Sequence, residues 1–500
     1  MFDFIEKDIA NITDPLGEEE PKLPLFDNLQ MNISYLKMQF GESFDILYKE
    51  IKIGNADICL VMADGMCENI LVVEQVVKPI VNEKKLPLRH DKMLEYISKN
   101  VVAGIDQTKA ETLQDAIANV LSGLVVLFVD GVNYCECFGV QGFPKRSIED
   151  AVSDVEERGA HEGFTESFKD NVALLRRRIR TPVLKCETVE AGKTSKTRVC
   201  VCYMSDRAKQ ETVNDIKYKI KNAKLDTVLG SGYLRPFLDG KRFSFFSALG
   251  TTERPDVACA EMAEGRVLII IDGTPFALIA PYLFSENFQT MDDYNFRPFY
   301  TALIRVLKFA SFVIAIFLPG LYIAVCKFHQ EIVPISILYD LVIQESITPF
   351  PVMLETIFIH FVYEIVREAG LRMPKSVGQT VGIVGALVIG DAAVTAGLVA
   401  APMLIVVALS AITSFVVPHL YQPVAFLRFV FMVIGGTFGI YGIVVGAAVL
   451  LINICGTNPY GVPLLSPLAP FSMGAMRDNF IRMTWLKLGR RELKIDKMEK

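Results

Sequence analysis

The sequence predicts an α/β cytoplasmic region, with two subdomains built on β-hairpins, followed by an all-α polytopic membrane domain. Two observations predict this division. Residues 1 to about 300 mix Lys, Arg, Asp and Glu with short apolar runs, as soluble proteins do. From Ser376 to Met476 the chain instead carries only two full charges, Asp391 and Arg428. Because each bilayer crossing needs about 20 mostly apolar residues, this stretch can supply several packed helices.

The N-terminal segment is rich in Glu, Pro and Asp and predicts a flexible, acidic lead-in. It has no apolar run of the kind that a secretory signal peptide contains, so we expect the soluble half to stay in the cytoplasm. In that compartment the ten cysteines are expected to be reduced. The predicted division is a lead-in over 1–28, cytoplasmic α/β subdomains over 29–160 and 161–300, a helical membrane domain over 301–456 and a basic cytoplasmic tail over 457–500.

An Asp-Gly pair stands between two β-rich runs at three places in the soluble half. Asp-Gly accommodates the positive φ angles of a tight turn, and the flanking Val, Ile, Leu and Phe favour strands. We therefore predict three hairpins, over 57–70, 123–140 and 265–284. Polar stretches with helical periodicity at 111–122 and 205–223 complete the α/β pattern.

No pattern in the soluble half indicates catalysis. The fragment 191–194 lacks the second glycine of a phosphate-binding loop, because Glu187 stands at that position. The five histidines show no paired-ligand spacing, and no Gly-x-Ser-x-Gly motif is present. We therefore predict no enzyme activity and no cofactor. The net charge of −6 also gives no reason to expect a nucleic-acid partner.

The soluble half contains two Cys-x-Cys pairs and one arginine cluster that could bind a ligand. Cys135 and Cys137, like Cys200 and Cys202, alternate along predicted strands and should lie on one face, but no second pair stands at zinc-finger spacing. The sequence therefore predicts no metal site. The arginines within 176–180 form either a solvated helix face or a site for a phosphate or an acidic partner.

The membrane part opens at 309–326, an uncharged run long enough to span a bilayer. Arg305 and Lys308 precede it, and basic residues before a span indicate the cytoplasmic side. The C-terminal tail is also basic, so both chain ends are expected in the cytoplasm. That arrangement requires an even number of crossings, four or six. Further apolar segments follow at 351–370, 381–401, 403–417 and 429–455.

The helix predicted at 351–370 carries a polar stripe on an otherwise apolar surface, formed by Glu355, Thr356, His360, Glu364 and Arg367. Ionised groups at bilayer depth are costly, so they face a partner, a cavity or water. Three interpretations remain open. The stripe lines an aqueous pore in which Glu355 and Glu364 attract cations, the helix lies on the membrane surface, or Glu364 and Arg367 make a structural contact inside the bundle.

Small residues mark where membrane helices can approach each other closely. Asp391, an intramembrane polar residue, lies on a predicted helix rich in Gly and Ala. Small residues four apart allow such close packing, either within one chain or between copies of it. The predicted packing glycines are Gly385, Gly390, Gly397, Gly435, Gly439, Gly442 and Gly446.

The run from Glu345 to Gly397 resembles the core of the A subunits of bacterial spore germinant receptors of the GerA type. The segments 157–184, 251–281 and 458–471 are similar to other characteristic segments of that family, and the resemblance covers roughly residues 50 to 490. It implies a two-part cytoplasmic α/β domain and a polytopic membrane region in the inner membrane of a dormant spore. It also implies that the protein is not an enzyme.

The resemblance further implies partners. Family members work with a transporter-like B subunit, which recognises the nutrient, and a lipoprotein C subunit, and they contact membrane lipid. The A subunits are expected to form a ring around an ion-conducting path that opens when a germinant binds. The competing interpretation is an ion-coupled secondary transporter subunit, with Asp391 and Glu364 as ion-coupling sites.

Overall fold

A computed structural model of the protein describes residues 22–53, 56–83, 87, 89–102, 106–142, 159–239, 244–374, 390–471, 475–479 and 482–483. In these residues the N-terminal part contains two five-stranded antiparallel sheets with helices packed on them. The C-terminal part is helical. The predicted order, an α/β region followed by a helical region, is therefore confirmed.

The two sheets have the same strand order. The first runs β1-β2-β4-β5-β3 and the second β6-β7-β9-β10-β8, so both follow the order one, two, four, five, three within their own segment. The strands of the first sheet are β1 Ile46–Ile53, β2 Ala56–Ala63, β3 Gln107–Ala110, β4 Val125–Val129 and β5 Cys135–Phe138. Those of the second are β6 Leu184–Ala191, β7 Thr197–Met204, β8 Gly250–Thr252, β9 Val267–Ile271 and β10 Ala277–Ala280.

A helix precedes the first strand of each sheet, and helices connect β2 to β3, β3 to β4, β7 to β8 and β8 to β9. The π-helical turns Val72–Val77 and Ile97–Val101 adjoin helices between β2 and β3. The helices of the soluble part are α1 Leu29–Phe40, α2 Asn69–Leu71, α3 Lys78–Asn82, α4 His90–Tyr96, α5 Leu113–Leu121, α6 Phe168–Arg178, α7 Gln210–Lys221, α8 Ser231–Leu238, α9 Pro255–Ala263 and α10 Asp292–Asn295.

Two of the three predicted hairpins are confirmed, because β4 pairs with β5 and β9 pairs with β10 in antiparallel register. The hairpin predicted at 57–70 is wrong. There β2 ends at Ala63, and the chain continues into the helical run from α2 to α3. Val72, Val76 and Ile80 recur every four residues and are all buried, which is the spacing of a helix face.

The aspartates of the two confirmed hairpins also hold the first helix of each half. The Asp130 carboxylate accepts a hydrogen bond from the backbone N–H of Leu29, the first residue of α1, at 3.0 Å. Asp272 accepts the equivalent bond from Phe168, the first residue of α6, at 3.4 Å. The first N–H groups of a helix have no partner inside the helix, so each aspartate satisfies one of them. The two halves thus share a local contact as well as a strand order.

Among the described residues, the helical part contains five long elements and the helical stretch 390–395. Two segments of this described part, Pro298–Phe328 and Pro418–Cys455, are long and apolar enough to cross a membrane. There is a third if Ile335–Ile347 and Val352–Arg372, which meet at 75°, count as one span. The predicted helix at 351–370 is confirmed, and the count of four or six crossings stays a prediction. The elements are α11 Pro298–Phe328, α12 Ile335–Ile347, α13 Val352–Arg372, α14 Ala401–Phe415 and α15 Tyr421–Cys455.

The long helix α15 turns back on itself at Gly439, whose φ of 63° and ψ of −155° are not helical. In a straight helix Phe426 and Asn453 would be about 40 Å apart. Here both reach Phe245: the Phe426 ring lies 6.4 Å from the Phe245 ring, and the Asn453 side chain accepts the Phe245 N–H at 3.2 Å. The two halves of α15 therefore lie side by side, with both ends next to the soluble part.

Candidate functional site in the membrane helices

The polar stripe of α13 divides into a buried part and a half-buried part. Glu355, Thr356 and His360 are fully buried against the neighbouring helices. The side chain of Glu364 is 19% exposed and that of Arg367 is 22% exposed. In the single chain the stripe thus faces the helix bundle, and the more C-terminal residues reach its edge.

His360 joins α13 to α14. Its Nδ1 lies 3.0 Å from the Thr356 carbonyl oxygen, and its Nε2 lies 3.1 Å from the Ser410 hydroxyl. Since a carbonyl oxygen can only accept, Nδ1 carries a proton and donates it to Thr356. The Ser410 hydroxyl also donates to the Val407 carbonyl at 2.9 Å, so His360 is held at both ring nitrogens by polar groups of α13 and α14.

Glu355 approaches the start of α14. One carboxylate oxygen accepts a hydrogen bond from the backbone N–H of Ala400 at 2.5 Å, immediately before α14 begins. The other oxygen, Oε2, is buried and has no hydrogen-bond partner among the described residues. A buried acceptor without a partner is costly, so this position is suited to a group that donates a hydrogen bond or carries positive charge.

Glu364 lies at the centre of a second polar group at the C-terminal end of the stripe. Arg367 Nε donates to its carboxylate at 2.9 Å, and the Tyr421 hydroxyl lies 2.9 Å from both carboxylate oxygens and donates to them. The Arg367 guanidinium also stacks 4.2 Å from the centre of the Tyr421 ring. The ion pair between Glu364 and Arg367 is therefore present, and whether the same face lines a pore stays a prediction.

Arg428 also belongs to this group, and the sequence singled out neither Arg428 nor Tyr421 as a site residue. Arg428 is fully buried in α15, donates through Nε to the Ala315 carbonyl at 2.9 Å and through Nη2 to the Ser410 carbonyl at 3.2 Å. Its Nη1 lies 3.9 Å from Glu364 Oε1. Arg428 thus connects α11, α13, α14 and α15. The signal was available, because Arg428 is one of the two charges between residues 376 and 476.

The predicted packing glycines have different surroundings. A β-carbon on Gly435 would overlap the Gly320 carbonyl of α11, and one on Gly446 would lie 2.9 Å from the Phe431 ring in the other half of α15. A β-carbon on Gly442 would overlap Phe438, next to the bend at Gly439.

The remaining residues predicted here lie away from this close packing. A β-carbon on Gly390 would make only an ordinary contact, 3.5 Å from Leu404, whereas Gly397 has a φ of 65° and lies against Ile347. Asp391 is exposed in the single chain and is not brought to the group around Glu364. Gly385 lies outside the described residues.

The arginines at the end of α6 have two structural roles. Arg176 is buried and binds the Asp45 carboxylate through Nε at 2.6 Å and Nη2 at 3.2 Å. Arg177 and Arg178 both pair with Glu162, at 3.2 and 2.6 Å. The Arg176–Asp45 contact joins α6 to the segment before β1. The arginine cluster is therefore not simply a solvated helix face.

Comparison with known proteins identifies the family. The model of one protein family, described as Bacillus/Clostridium GerA spore germination protein, matches residues 34–493. This chain belongs to the GerA spore germination family. The match includes both sheets and the whole of α11 to α15, so it contains the polar groups described above. The resemblance seen in the sequence is thus confirmed.

Members of the GerA family align with nearly the full length of this chain. The chain is 34% identical to spore germination protein KA of Bacillus subtilis (strain 168), over 97% of this chain and 89% of that protein. It is 32% identical to spore germination protein GerLA of Bacillus cereus, over 92% and 94% of the two chains. A crystal structure of the N-terminal domain of the A subunit of the Bacillus megaterium spore germinant receptor GerK3 matches with 30% identity and a TM-score of 0.43, covering 53% of this chain and 99% of that one.

Proposed function

We propose that this chain is the A subunit of a nutrient-responsive spore germinant receptor, located in the spore inner membrane or the cell membrane. The observation that carries this proposal is the alignment of 97% of the chain with a spore germination protein. The soluble sheets and the C-terminal tail are cytoplasmic. The bend at Gly439 supports this topology, because it returns the end of α15 to the side on which the soluble part lies.

The receptor is completed by other subunits and by lipid. We propose a transporter-like B subunit that recognises the nutrient, a lipoprotein C subunit and further copies of this chain. Large apolar side chains exposed in the single chain support such contacts, since they need lipid or protein to cover them; they include Val313, Phe361, Phe438 and Tyr441.

The A subunits, in this proposal, form a ring in which α13 lines a cation path. Nutrient binding in the complex shifts these helices, monovalent cations leave the spore and dormancy ends. No covalent bond is made or broken. Glu364 supports the proposal because its carboxylate lies at the partly exposed end of the stripe. There it pairs with Arg367, and the helix shift that we propose separates the two so that the carboxylate attracts a cation.

A second function, an ion-coupled secondary transporter subunit, has one observation in its favour. Transporters of several families bind ions at discontinuous membrane helices, and α15 is interrupted at Gly439. At this interruption Lys327 donates to the released carbonyl of Gly436 at 2.7 Å. In this alternative Asp391 and Glu364 are the coupling sites.

Ion flux in liposomes distinguishes the two functions. The chain is reconstituted alone and with the B and C subunits, and potassium flux is measured with a panel of amino acids and nucleosides. We expect nutrient-triggered, non-saturating flux that falls roughly tenfold in Glu364→Gln. A tenfold fall corresponds to a rise of about 1.4 kcal/mol in the free-energy barrier to ion passage. Saturable flux coupled to uptake of the nutrient would support the transporter instead.

The matched control is Glu368→Gln. Glu368 lies one turn further along α13, has a side chain that is 49% exposed and pairs with Arg372 at 2.7 Å. Its carboxylate also lies 3.8 Å from Arg367, beyond hydrogen-bond distance. Its replacement should leave flux unchanged. Equal flux in wild type and Glu364→Gln, with the same amount of assembled protein, would remove Glu364 from the ion path.

A further inference from the structure

Three cysteines meet in the core of the second sheet. Cys186 on β6 is directly opposite Cys202 on β7, and Cys200 lies two residues before Cys202 on the same face. The three sulfur atoms lie within 4.8 Å of one another, and those of Cys200 and Cys202 are 3.4 Å apart. All three side chains are fully buried. The sequence showed the Cys-x-Cys pair but not the third thiol, which strand pairing supplies.

The spacing of the sulfurs suits a shared ion better than a covalent bond. Bonds of about 2.3 Å from sulfur to zinc place the sulfurs of a tetrahedral or trigonal site roughly 3.8 to 4.0 Å apart. The sulfurs of Cys200 and Cys202, at 3.4 Å, are slightly closer than this, and the other two sulfur–sulfur spacings are at most 4.8 Å. A disulfide would bring two sulfurs to about 2.05 Å.

The three thiols differ in how readily they lose a proton. Burial raises the pKa of Cys200, and hydrogen bonds with the other two thiols raise that of Cys202, whereas the hydrogen bonds from Cys200 and Cys202 lower the pKa of Cys186. The spacing of the sulfurs therefore carries the case for a site, and a bound ion would have to displace the protons of Cys200 and Cys202. Metal ions bind the thiolate form. Arg176 makes two hydrogen bonds to the Asp45 carboxylate, which compensates its positive charge. Its repulsion of an incoming metal ion is therefore reduced.

We propose that Cys186, Cys200 and Cys202 form a three-sulfur site for a thiophilic metal ion of the class of Cu⁺ and Zn²⁺. Thiolate ligands select such soft ions over Mg²⁺ or Ca²⁺. The ion binds the three sulfurs, each thiol releases its proton to solvent, and no electron is transferred. The proposal goes beyond the germination function and does not depend on it.

Binding at this site would stabilise the junction between the two sheets. The backbone N–H of Cys186 donates to the Ser43 hydroxyl at 3.3 Å, and its carbonyl accepts the Phe44 N–H at 3.1 Å. Ser43 and Phe44 belong to the segment that enters β1. Fixing Cys186 therefore also fixes the entry to the first sheet.

The test is a metal titration of the purified full-length chain in detergent, under anaerobic and reducing conditions. Cu⁺ is added in competition with a chromogenic chelator and Zn²⁺ in a separate series, and bound metal is counted by mass spectrometry. We expect one ion per chain for at least one of the two metals and loss of that ion in Cys200→Ala/Cys202→Ala. Affinity should fall as the pH is lowered, because protons compete for the sulfurs.

The control is Cys135→Ala/Cys137→Ala, the buried Cys-x-Cys pair of the first sheet. Cys186, Cys200 and Cys202 are the one group of three or more possible ligands found within the described ranges, so the control pair has no equivalent third thiol there. Circular dichroism of each metal-free variant checks that it is folded. If Cys200→Ala/Cys202→Ala unfolds the chain, Co²⁺ is added to the wild type instead of testing that variant. The sulfur-to-cobalt charge-transfer absorption band should then be present.

Three results would overturn the proposal. The folded wild type could bind neither ion. The two double variants could bind the same amount of metal. Peptide mapping of the anaerobically purified wild type could find a disulfide between two of Cys186, Cys200 and Cys202.

Discussion

Arg266 is surrounded by three carboxylates at the end of the soluble part. Its Nε lies 2.9 Å from Glu261 and its Nη1 lies 2.6 Å from Glu264, while Nη2 binds Glu286. One guanidinium cannot neutralise three carboxylates. Burial raises the pKa of Glu261 well above its ordinary value and that of Glu286 to about 7, although Arg266 opposes both shifts.

This pKa predicts that the protein loses stability as the pH rises from about 4.5 to about 7. The folded state holds the Glu286 proton more tightly than the unfolded state does, so its contribution is complete below the unfolded pKa and is lost as the pH passes the folded pKa. The expected loss of unfolding free energy is roughly 3 kcal/mol. Thermal unfolding in detergent at a series of pH values measures it.

Glu286→Gln should flatten this part of the pH profile, because glutamine keeps an acceptor for the Leu283 N–H but does not titrate. Glu95→Gln, at an exposed residue paired with Lys99, should leave the profile as it is. An identical pH slope in wild type and Glu286→Gln would show that another group titrates.

The polar residues of α13 show which features of single residues could be predicted from the sequence. Their spacing of three and four was enough to place Thr356, His360 and Glu364 on one helix face. Their partners could not be predicted, because Ser410 and Tyr421 lie 50 and 57 residues further along the chain. A single sequence contains no record of which distant residues a face will meet.

At the scale of elements, α11 and α15 approach each other closely at Gly320 and Gly435. A β-carbon on Gly320 would overlap the carbonyl of Phe431, and one on Gly435 would overlap the carbonyl of Gly320. Glycines allow backbones to approach in this way, and van der Waals packing then stabilises the helix pair. Arg428 and Ala315 bond along the same contact.

Gly320→Ala should therefore separate α11 from α15. Overpacking of this kind costs about 1–3 kcal/mol. The measurement is the thermal unfolding midpoint of the purified chain in detergent, which should fall. The control is Gly370→Ala in α13, where a β-carbon would have no atom within 4 Å. Alanine is the better helix former by roughly 0.5–1 kcal/mol, so the control should be neutral or stabilising. An equal fall in both variants would mean that the close approach is unimportant.

The elements themselves could be predicted where one local signal was sufficient. Asp-Gly between β-rich runs identified β4–β5 and β9–β10, and Pro351 with Gly370 gave α13 to within two residues. The same dipeptide at residues 64–65 failed because the apolar residues that follow have helical spacing. The bend at Gly439 was also unpredictable, since glycine is common in straight membrane helices.

At the scale of the whole molecule, the two sheets were predicted as separate subdomains but not with a common strand order. Strand order depends on pairings between distant segments, such as β2 with β4, that hairpin signals do not encode. The same limit applies to the junction between the soluble and helical parts. Arg305 and Lys308 were interpreted there as topology signals, and their carboxylate partner Asp293 was not predicted.

The junction is a buried ionic network that joins the base of α11 to the C-terminal tail. Arg305 is fully buried and binds Asp293 at 2.8 Å and Asp478 at 2.9 Å. The Tyr294 hydroxyl donates to Asp478 at 2.6 Å, and Arg482 donates to the Asp293 carbonyl at 2.8 Å. Residues that follow α15 therefore return to the start of α11, so the described part of the tail is docked.

Asp478→Asn should release this docking. The substitution keeps the shape of the side chain but leaves the buried Arg305 with less compensation, and breaking a buried ion pair costs about 3–5 kcal/mol. Hydrogen exchange should then become faster in peptides covering 289–305 and 475–483, because local opening no longer requires this network to be broken in full. The control is Asp91→Asn, whose partner Arg89 is exposed and whose own side chain is 49% exposed, so its ion pair should be worth less than about 1 kcal/mol. If exchange in both peptides stayed at the wild-type rate in Asp478→Asn, the tail would be held by contacts other than this carboxylate, and the coupling between the two parts of the chain would have to be sought elsewhere.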